Sequence, residues 1–159
     1  MTKLLIKQRV FSWSDTYDVY DKNGEPKYYV EADILSWGHK IHIYDHATDR
    51  EVAYIAERVF TFLPKAEITV MGLPVGEIRK EFSFFTPKYS IDYNGWTIDG
   101  DFFEWDYSIR NSSGREVATI SKELFRWGDT YSLEIEDDED EISALVTVIA
   151  IDMMNCSNN

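Results

Sequence analysis

Three histidines lie close together in this sequence and are the first residues to test for metal chemistry. His39, His42 and His46 are spaced so that, on a helix, the last two would share one face. The neighbouring apolar residues Ile41 and Ile43 instead predict a strand, in which a four-residue step covers about 13 Å. Two imidazoles that far apart cannot both bind one ion at ~2.1 Å. We therefore expect no metal site, and we expect His42 to point outward from its strand.

A strongly acidic segment is the densest charge feature, with seven acids among the eight residues 134–141. It could be a loose calcium site or a patch for a basic partner. Alternatively, acids at a helix N-terminus complement the helix dipole and keep the start of a buried helix soluble. The segment lacks the glycine and the ligand spacing of an EF-hand loop, so we favour the second interpretation.

Arg79, Lys80 and Lys88 lie on either side of one predicted turn and could bind a small anion. The formal net charge of −13 argues against nucleic acid as a general partner and against nonspecific attraction to an anionic membrane. A local basic site for a lipid headgroup or another small anion remains compatible with that charge. Lysines at such positions also commonly protect sheet edges, which is the alternative interpretation.

Motifs for catalysis are absent. The sequence contains no serine-nucleophile phrase, no Gly-rich phosphate loop, no Cys-x-x-Cys pair and no His-Glu-x-x-His motif. Pairs of acids are numerous, but they are expected by coincidence in a chain with 29 carboxylates. We therefore expect neither enzymatic activity nor a cofactor.

The elements that must position these residues follow from a phrase that recurs six times: an apolar residue, a spacer and a large aromatic residue, then turn residues. The phrase occupies residues 11–13, 35–37, 60–62, 82–84, 103–105 and 125–127. Its starts lie 24, 25, 22, 21 and 22 residues apart, which leaves room for two strands and two turns per unit. The repeat predicts about a dozen antiparallel strands.

A longer repeat is superimposed on the short one. Residues 50–53 and 115–118 both read Arg-Glu-Val-Ala and lie 65 residues apart. Each copy follows a polar turn and leads to an aromatic residue at the same offset. The spacing predicts two similar half-barrels.

One apolar helix is predicted from about residue 139 to 155. Between residues 142 and 154 only Ser143, Thr147 and Asp152 are polar, so the helix must be enclosed. Thirteen residues span about 20 Å, which is too short for the ~30 Å hydrocarbon core of a bilayer. A twelve-stranded barrel has a bore that a helix about 10 Å across would fill. The core side chains predicted for this helix are Ile142, Leu145, Val146, Ile149 and Met153.

Asp152 is unusual because an acid near the end of a buried helix needs a partner or an exit to solvent. We expect it at the barrel mouth, capped by a Lys, Arg or Tyr. A role in ligand binding is the alternative.

Several phrases together resemble a known family. They are the opening Leu5-Ile6-Lys7-Gln8 and the segments 82–89, 100–103 and 125–131, followed by the acidic and then apolar helix. With the repeats, they resemble the bacterial branch of the LURP-one-related family over nearly the whole chain. That family is similar in fold to tubby C-terminal domains and phospholipid scramblases, so the resemblance implies a twelve-stranded antiparallel barrel around a central C-terminal helix. It implies little about activity, and no tubby phosphoinositide-binding residue has a motif here to match.

The sequence therefore predicts one domain over residues 1–159, mainly β, with no transmembrane segment. The lone Cys156 predicts no disulfide and a cytoplasmic location, with peripheral membrane association left open.

Three functions remain open. The first is a noncatalytic module that binds a lipid headgroup or small anion through Arg79, Lys80 and Lys88. The second is a domain for a protein partner or a structural role, and the third is an enzyme of unrecognised type.

Overall fold

Twelve antiparallel strands form a sheet that curls into a nearly closed barrel around one helix, which confirms the predicted fold class. This computed structural model describes residues 1–7, 16–33, 38–58, 62–81, 88–101, 106–123 and 130–156. The strands are β1 (Thr2–Lys7), β2 (Thr16–Asp21), β3 (Pro26–Asp33), β4 (Lys40–Asp45), β5 (Glu51–Arg58), β6 (Lys65–Val70), β7 (Leu73–Glu81), β8 (Lys88–Ile91), β9 (Thr97–Asp101), β10 (Asp106–Arg110), β11 (Glu116–Glu123) and β12 (Thr130–Ile135).

Strand order follows the chain almost completely. Each strand pairs with its sequence neighbours, and β1 also pairs with β12, which brings the two ends of the meander together. Within the described ranges no hydrogen-bonded ladder joins β8 to β9, so the sheet has its two edges there. The barrel is closed everywhere except at this seam.

The six repeated phrases fall in the connections that follow the odd-numbered strands. Apart from Phe62, their residues lie outside the described part of the chain. Because successive strands are antiparallel, the strand ends that flank these phrases all lie at one end of the barrel, here called the upper end. The short polar turns lie at the opposite, lower end.

The longer repeat corresponds to repeated backbone geometry. The two Arg-Glu-Val-Ala segments lead into β5 and β11, which are six strands apart. In each, the valine is the extra residue of a β-bulge, and both Val52 and Val117 are buried. The register pairs that flank the bulges are Ile43 with Ala53 and Tyr44 with Glu51 in one hairpin, and Ile109 with Ala118 and Arg110 with Glu116 in the other.

The helix α1 spans Glu141–Cys156 and follows a 3-10 turn at Asp138–Asp140. The helix was predicted from residue 139, but the acids before Glu141 form the tighter turn instead. Of the predicted core side chains, Ile142 is half-buried and packs against the core, and the others are fully or almost fully buried. Those others are Leu145, Val146, Ile149 and Met153. Among the described residues, no helix has the length and apolar character needed to cross a bilayer.

Polar side chains of the helix have hydrogen-bond partners in the helix itself and in the barrel wall. Thr147 Oγ1 donates to the carbonyl oxygen of Ser143 at 2.7 Å and also contacts the phenol of Tyr93. The Tyr89 phenol donates to Asn155 near the C-terminal end of the helix. Buried polar groups need such partners, so these contacts attach the helix to the barrel wall.

Gly76 should not tolerate a side chain. A Cβ there would lie 2.2 Å from the backbone oxygen of Asp92, at a φ of +153° that favours glycine. Gly72 also has a positive φ, +78°, but a Cβ there meets nothing within 4 Å. We expect Gly76→Ala to lower the free energy of unfolding by about 1–3 kcal/mol more than Gly72→Ala, because only the first overpacks the structure. Urea denaturation of both variants measures the difference, and equal losses would contradict the predicted clash.

Candidate functional site

The three histidines contact three different groups. His39 Nδ1 contacts the carboxylate of Glu57, and His42 Nδ1 lies 2.8 Å from Glu51 Oε2. His46 lies in the turn after β4, edge-on to a tyrosine ring of β3. As expected, His42 is on the outward face of its strand, between two buried isoleucines. Over the described ranges, no group of three or more His, Cys, Asp or Glu residues is placed to hold a metal ion.

The acidic segment contacts its own chain at the lower end of the barrel. Its exposed contacts are Glu134 with Lys3, Asp137 with Arg115, and Asp138 with Thr2 and the N-terminal ammonium group. Glu141 is buried and binds both the Tyr28 hydroxyl and Lys27 Nζ, each at 2.6 Å. Burial, followed by the hydrogen bond to Glu141, raises the pKa of Tyr28 well above its ordinary value. These contacts support the structural interpretation, in which the segment holds the start of α1.

A row of three cations crosses the outer face of β5, β6 and β7 near the upper end. Arg58 pairs in register with Lys65, and Lys65 pairs with Arg79. Neighbouring strands are about 4.8 Å apart, so these residues project side by side from one surface. We call them the cationic row. Glu67 and Glu77 are register partners and lie two residues further along the strands on the same face.

Glu77 links two members of the cationic row. Its Oε2 lies 2.6 Å from Lys65 Nζ, and its Oε1 accepts a hydrogen bond from the Arg79 guanidinium. Burial opposes ionisation of Glu77, but the hydrogen bonds from Lys65 and Arg79 outweigh it and hold the pKa below its ordinary value. Arg58 binds Glu67 at 2.6 Å. Among the contacts of the described residues, Glu67 and Glu77 hold these three cations, and the arginine side chains remain more than half exposed.

The residues predicted from sequence do not share one face. Successive residues of a strand point to opposite sides, so Arg79 projects outward with the cationic row while Lys80 lies on the inward-facing side. Lys80 is half-buried and pairs in register with Tyr89. The backbone of Lys88 pairs with Glu81 at the start of β8. Lys80 is thus separated from the cationic row, and anion binding by Arg79, Lys80 and Lys88 stays a prediction.

Arg58 and Lys65 were missed as site residues in the sequence. They are 7 residues apart, and Lys65 is 14 residues from Arg79. Arg58, Lys65 and Arg79 are each on the outward alternation of their own strand, as the buried residues Ile55, Ala66 and Ile78 indicate. Their alignment depends on the register of three strands, which alternation within one strand does not determine.

Phe62 is an exposed aromatic residue beside the cationic row. It lies in the connection between β5 and β6, between Arg58 and Lys65 in the chain, and its exposure is 94%. Its ring lies at the same end of the barrel as the cationic row.

Asp152 lies inside the barrel near the end of α1. Its exposure is only 7%, so the carboxyl has little contact with solvent and needs a partner. Burial disfavours the carboxylate and raises the pKa of Asp152 to about 7. Burial also raises the pKa of the Tyr107 phenol, and the charge of Asp152 adds to that effect. A tyrosine is therefore close to this acid, as the sequence suggested.

Comparison with known proteins agrees with this architecture. The chain is 29% identical over 154 residues to the uncharacterized protein YxjI of Bacillus subtilis, covering 97% of this chain and 94% of that protein. It also resembles the X-ray structure of an Arabidopsis thaliana protein with a TM-score of 0.66, covering 95% of this chain and 90% of the other. The sequence identity in that second comparison is 13%, so it bears on the fold alone.

A protein-family model identifies the same family that the repeats and phrases resemble. The model described as LURP-one-related matches residues 2–152. This match covers every strand of the barrel and most of α1, including Asp152. The chain therefore belongs to the LURP-one-related family.

Proposed function

We propose that this protein is a noncatalytic binding module that recognises an anionic lipid headgroup, or a small anion of the same chemistry, at the cationic row. The observation that carries the proposal is the alignment of Arg58, Lys65 and Arg79 over three adjacent strands. Among the described contacts Glu67 and Glu77 hold these three cations, on a chain whose formal net charge is −13. A small cluster of cations on an acidic protein favours small anions over extended polyanions.

The cationic row is partly organised before any ligand binds. Glu77 contacts Lys65 and Arg79 at once, which restricts both long side chains. Less side-chain entropy is then lost when an anion binds, and this favours affinity. The Arg79 guanidinium has five N–H donors, of which the contact with Glu77 uses only part. The remaining donors suit the oxygens of a phosphate group.

Phe62 supports a headgroup in a lipid surface over a free anion. Aromatic side chains favour the interface between membrane and water, and basic residues beside them add attraction to anionic lipids. Phe62 and the cationic row lie at the same end of the barrel. A lipid surface would cover both, whereas a free phosphate would contact only the cations. The resemblance in fold to tubby domains and phospholipid scramblases points the same way.

Vesicle co-sedimentation tests this function. We expect the protein to bind phosphatidylcholine vesicles that contain about a third phosphatidylserine, and to bind pure phosphatidylcholine much less. Arg58→Gln with Arg79→Gln should weaken binding on the order of tenfold, because juxtamembrane cations supply the attraction. Phe62→Ala should weaken vesicle binding but not binding of glycerol phosphate measured by calorimetry.

The matched control is Arg110→Gln with Arg115→Gln. These two arginines also pair with carboxylates and are 40% and 64% exposed, but they flank the turn between β10 and β11 at the lower end. The two double variants have the same net charge. Equal loss of binding in both would show general electrostatics and contradict the cationic row. Lys80→Gln with Lys88→Gln tests the other two residues that the sequence suggested.

A further inference from the structure

A ladder of aromatic rings covers a different part of the barrel. Tyr29 and Tyr44 are register partners on β3 and β4, and their rings stack with centroids 4.7 Å apart. The His42 ring lies 6.1 Å from that of Tyr44, in a nearly parallel plane, and 4.8 Å from the ring of Tyr54 on β5. We call these four residues the ring ladder. All four are half-buried on the outward face of the sheet.

Carboxylates surround the ring ladder. Glu31 and Glu51 are register partners of His42 and Tyr44, and Asp18 is the partner of Tyr29 on β2. Burial first, and then the charges of Asp49 and Glu31, raise the pKa of the Tyr29 phenol. For Tyr44, burial again comes first, followed by Glu31 and Glu51. These acids are therefore close enough to act on the tyrosine hydroxyls.

The balance of charge around the ring ladder is negative. Lys40 continues the outward face of β4 toward the upper end, where its register partner is Asp33. Arg50 lies exposed in the turn at the other end. The acids that border the rings are Asp18, Glu31, Asp49 and Glu51. Two further cations of the described chain lie nearby, but Lys27 is held by Glu141 and Arg58 by Glu67. The residues in register with the rings on the neighbouring strands include three acids, so the immediate border of the ring ladder is complementary to a positively charged group.

We propose that the ring ladder is a docking surface for an arginine-containing, extended basic segment of a protein partner. The guanidinium group is planar, stacks on aromatic faces and binds carboxylates in a bidentate manner, and the ring ladder offers both kinds of group. In an extended segment alternate side chains point to one side, so arginines two residues apart would reach neighbouring positions along the sheet. A neutral sugar would also stack on the rings, but the excess of acids favours a cation.

This surface adjoins the cationic row on β5, where Tyr54 lies near Arg58, but it uses different residues. The rings project from β3, β4 and β5, whereas the row crosses β5, β6 and β7 at its upper end and carries the opposite charge. Loss of anion binding would therefore leave this inference standing, and loss of peptide binding would leave the proposed function standing.

Fluorescence anisotropy with a short labelled peptide tests the proposal. The probe is fluorescein-labelled Gly-Arg-Gly-Arg-Gly-Arg amide in 150 mM salt, with the lysine peptide of the same spacing as a second probe. We expect saturable binding that is weaker for the lysine peptide. Glu31→Gln with Glu51→Gln should weaken binding of the arginine peptide by tenfold or more. Tyr29→Leu with Tyr44→Leu should also weaken it, although the net charge is unchanged.

The control must separate this site from the general acidity of the protein. Glu136→Gln with Glu139→Gln also removes two negative charges, but from exposed acids near the start of α1. We expect this variant to change the affinity for the arginine peptide less than twofold. Equal losses in the two glutamine variants, or no saturable binding, would overturn the proposal. Binding of a neutral oligosaccharide such as cellohexaose in place of the peptide would overturn it in favour of a sugar site. If the leucine variant fails to fold, the two glutamine variants still decide.

Discussion

Leu145→Ala combined with Ile149→Ala is expected to leave much of the protein unfolded at room temperature. Both side chains are fully buried in α1, one turn apart on the same face. Each truncation of this kind costs about 2–5 kcal/mol, because apolar contact is lost and a cavity remains. The stability of a whole domain is about 5–15 kcal/mol, so the pair removes a large part of it. Urea denaturation followed by far-ultraviolet circular dichroism measures the loss.

Phe62→Ala is the matched control for this truncation. It removes a larger apolar side chain, but one that is 94% exposed, so little buried contact is lost. We expect its denaturation midpoint to stay close to that of the wild-type protein. If the double variant unfolded at the same urea concentration as Phe62→Ala, the helix would not support the barrel in the way its burial implies.

The fold was predictable because several independent signals agree. Strict alternation in segments such as Tyr131, Leu133 and Ile135 identifies the inward face, and all three are buried. Ser132, on the opposite face, is also buried, which alternation does not predict. It lies on a strand with partners on both sides and contacts the hydroxyl of Ser121 at 3.1 Å. The largely apolar helix then favours a wide barrel, because the bore of such a barrel can enclose it.

The two proposed binding surfaces were far less predictable. Arg58 and Lys65 join Arg79 only through the register of three strands, and Tyr29 meets Tyr44 only through the register of two. Register depends on turn geometry and on bulges, such as the one at Val52, which shift the pairing by one residue. Sequence spacing favours residues that are close along the chain. For this reason, sequence spacing grouped Arg79 with Lys80, although strand alternation places these two residues on opposite faces of the sheet.

Asp152→Asn is expected to stabilise the protein at pH 8, and the gain should disappear as the pH falls toward 4. Burial raises the pKa of Asp152 to about 7 in the folded protein, whereas the pKa of an aspartate in an unfolded chain is about 3.9. Between those values the folded state keeps a proton that the unfolded state has released. The free energy of unfolding therefore falls as the pH rises through this window. Above pH 7 both states are ionised and the loss is complete.

The size of this loss of stability follows from the pH range between the pKa values of Asp152 in the unfolded and folded states. About three pH units at about 1.4 kcal/mol each amount to a loss of about 4 kcal/mol between pH 4 and pH 8. Asparagine has nearly the shape of the protonated acid and does not ionise, so the variant avoids this loss. The measurement is the difference in unfolding free energy between variant and wild-type protein as a function of pH, in which contributions from other titrating groups cancel.

Glu139→Gln provides the comparison for Asp152→Asn. It removes one negative charge from an exposed acid just before α1, so it has the same effect on the net charge without changing the barrel interior. The Asp152→Asn difference should rise steeply between pH 4 and pH 7, because only this substitution removes a carboxylate whose ionisation is opposed by burial. A difference that stayed flat across this range would mean that Asp152 is ionised inside the folded barrel, stabilised there by its neighbours. A rise confined to Asp152→Asn would show that the barrel holds its central helix more tightly in mild acid than above neutral pH.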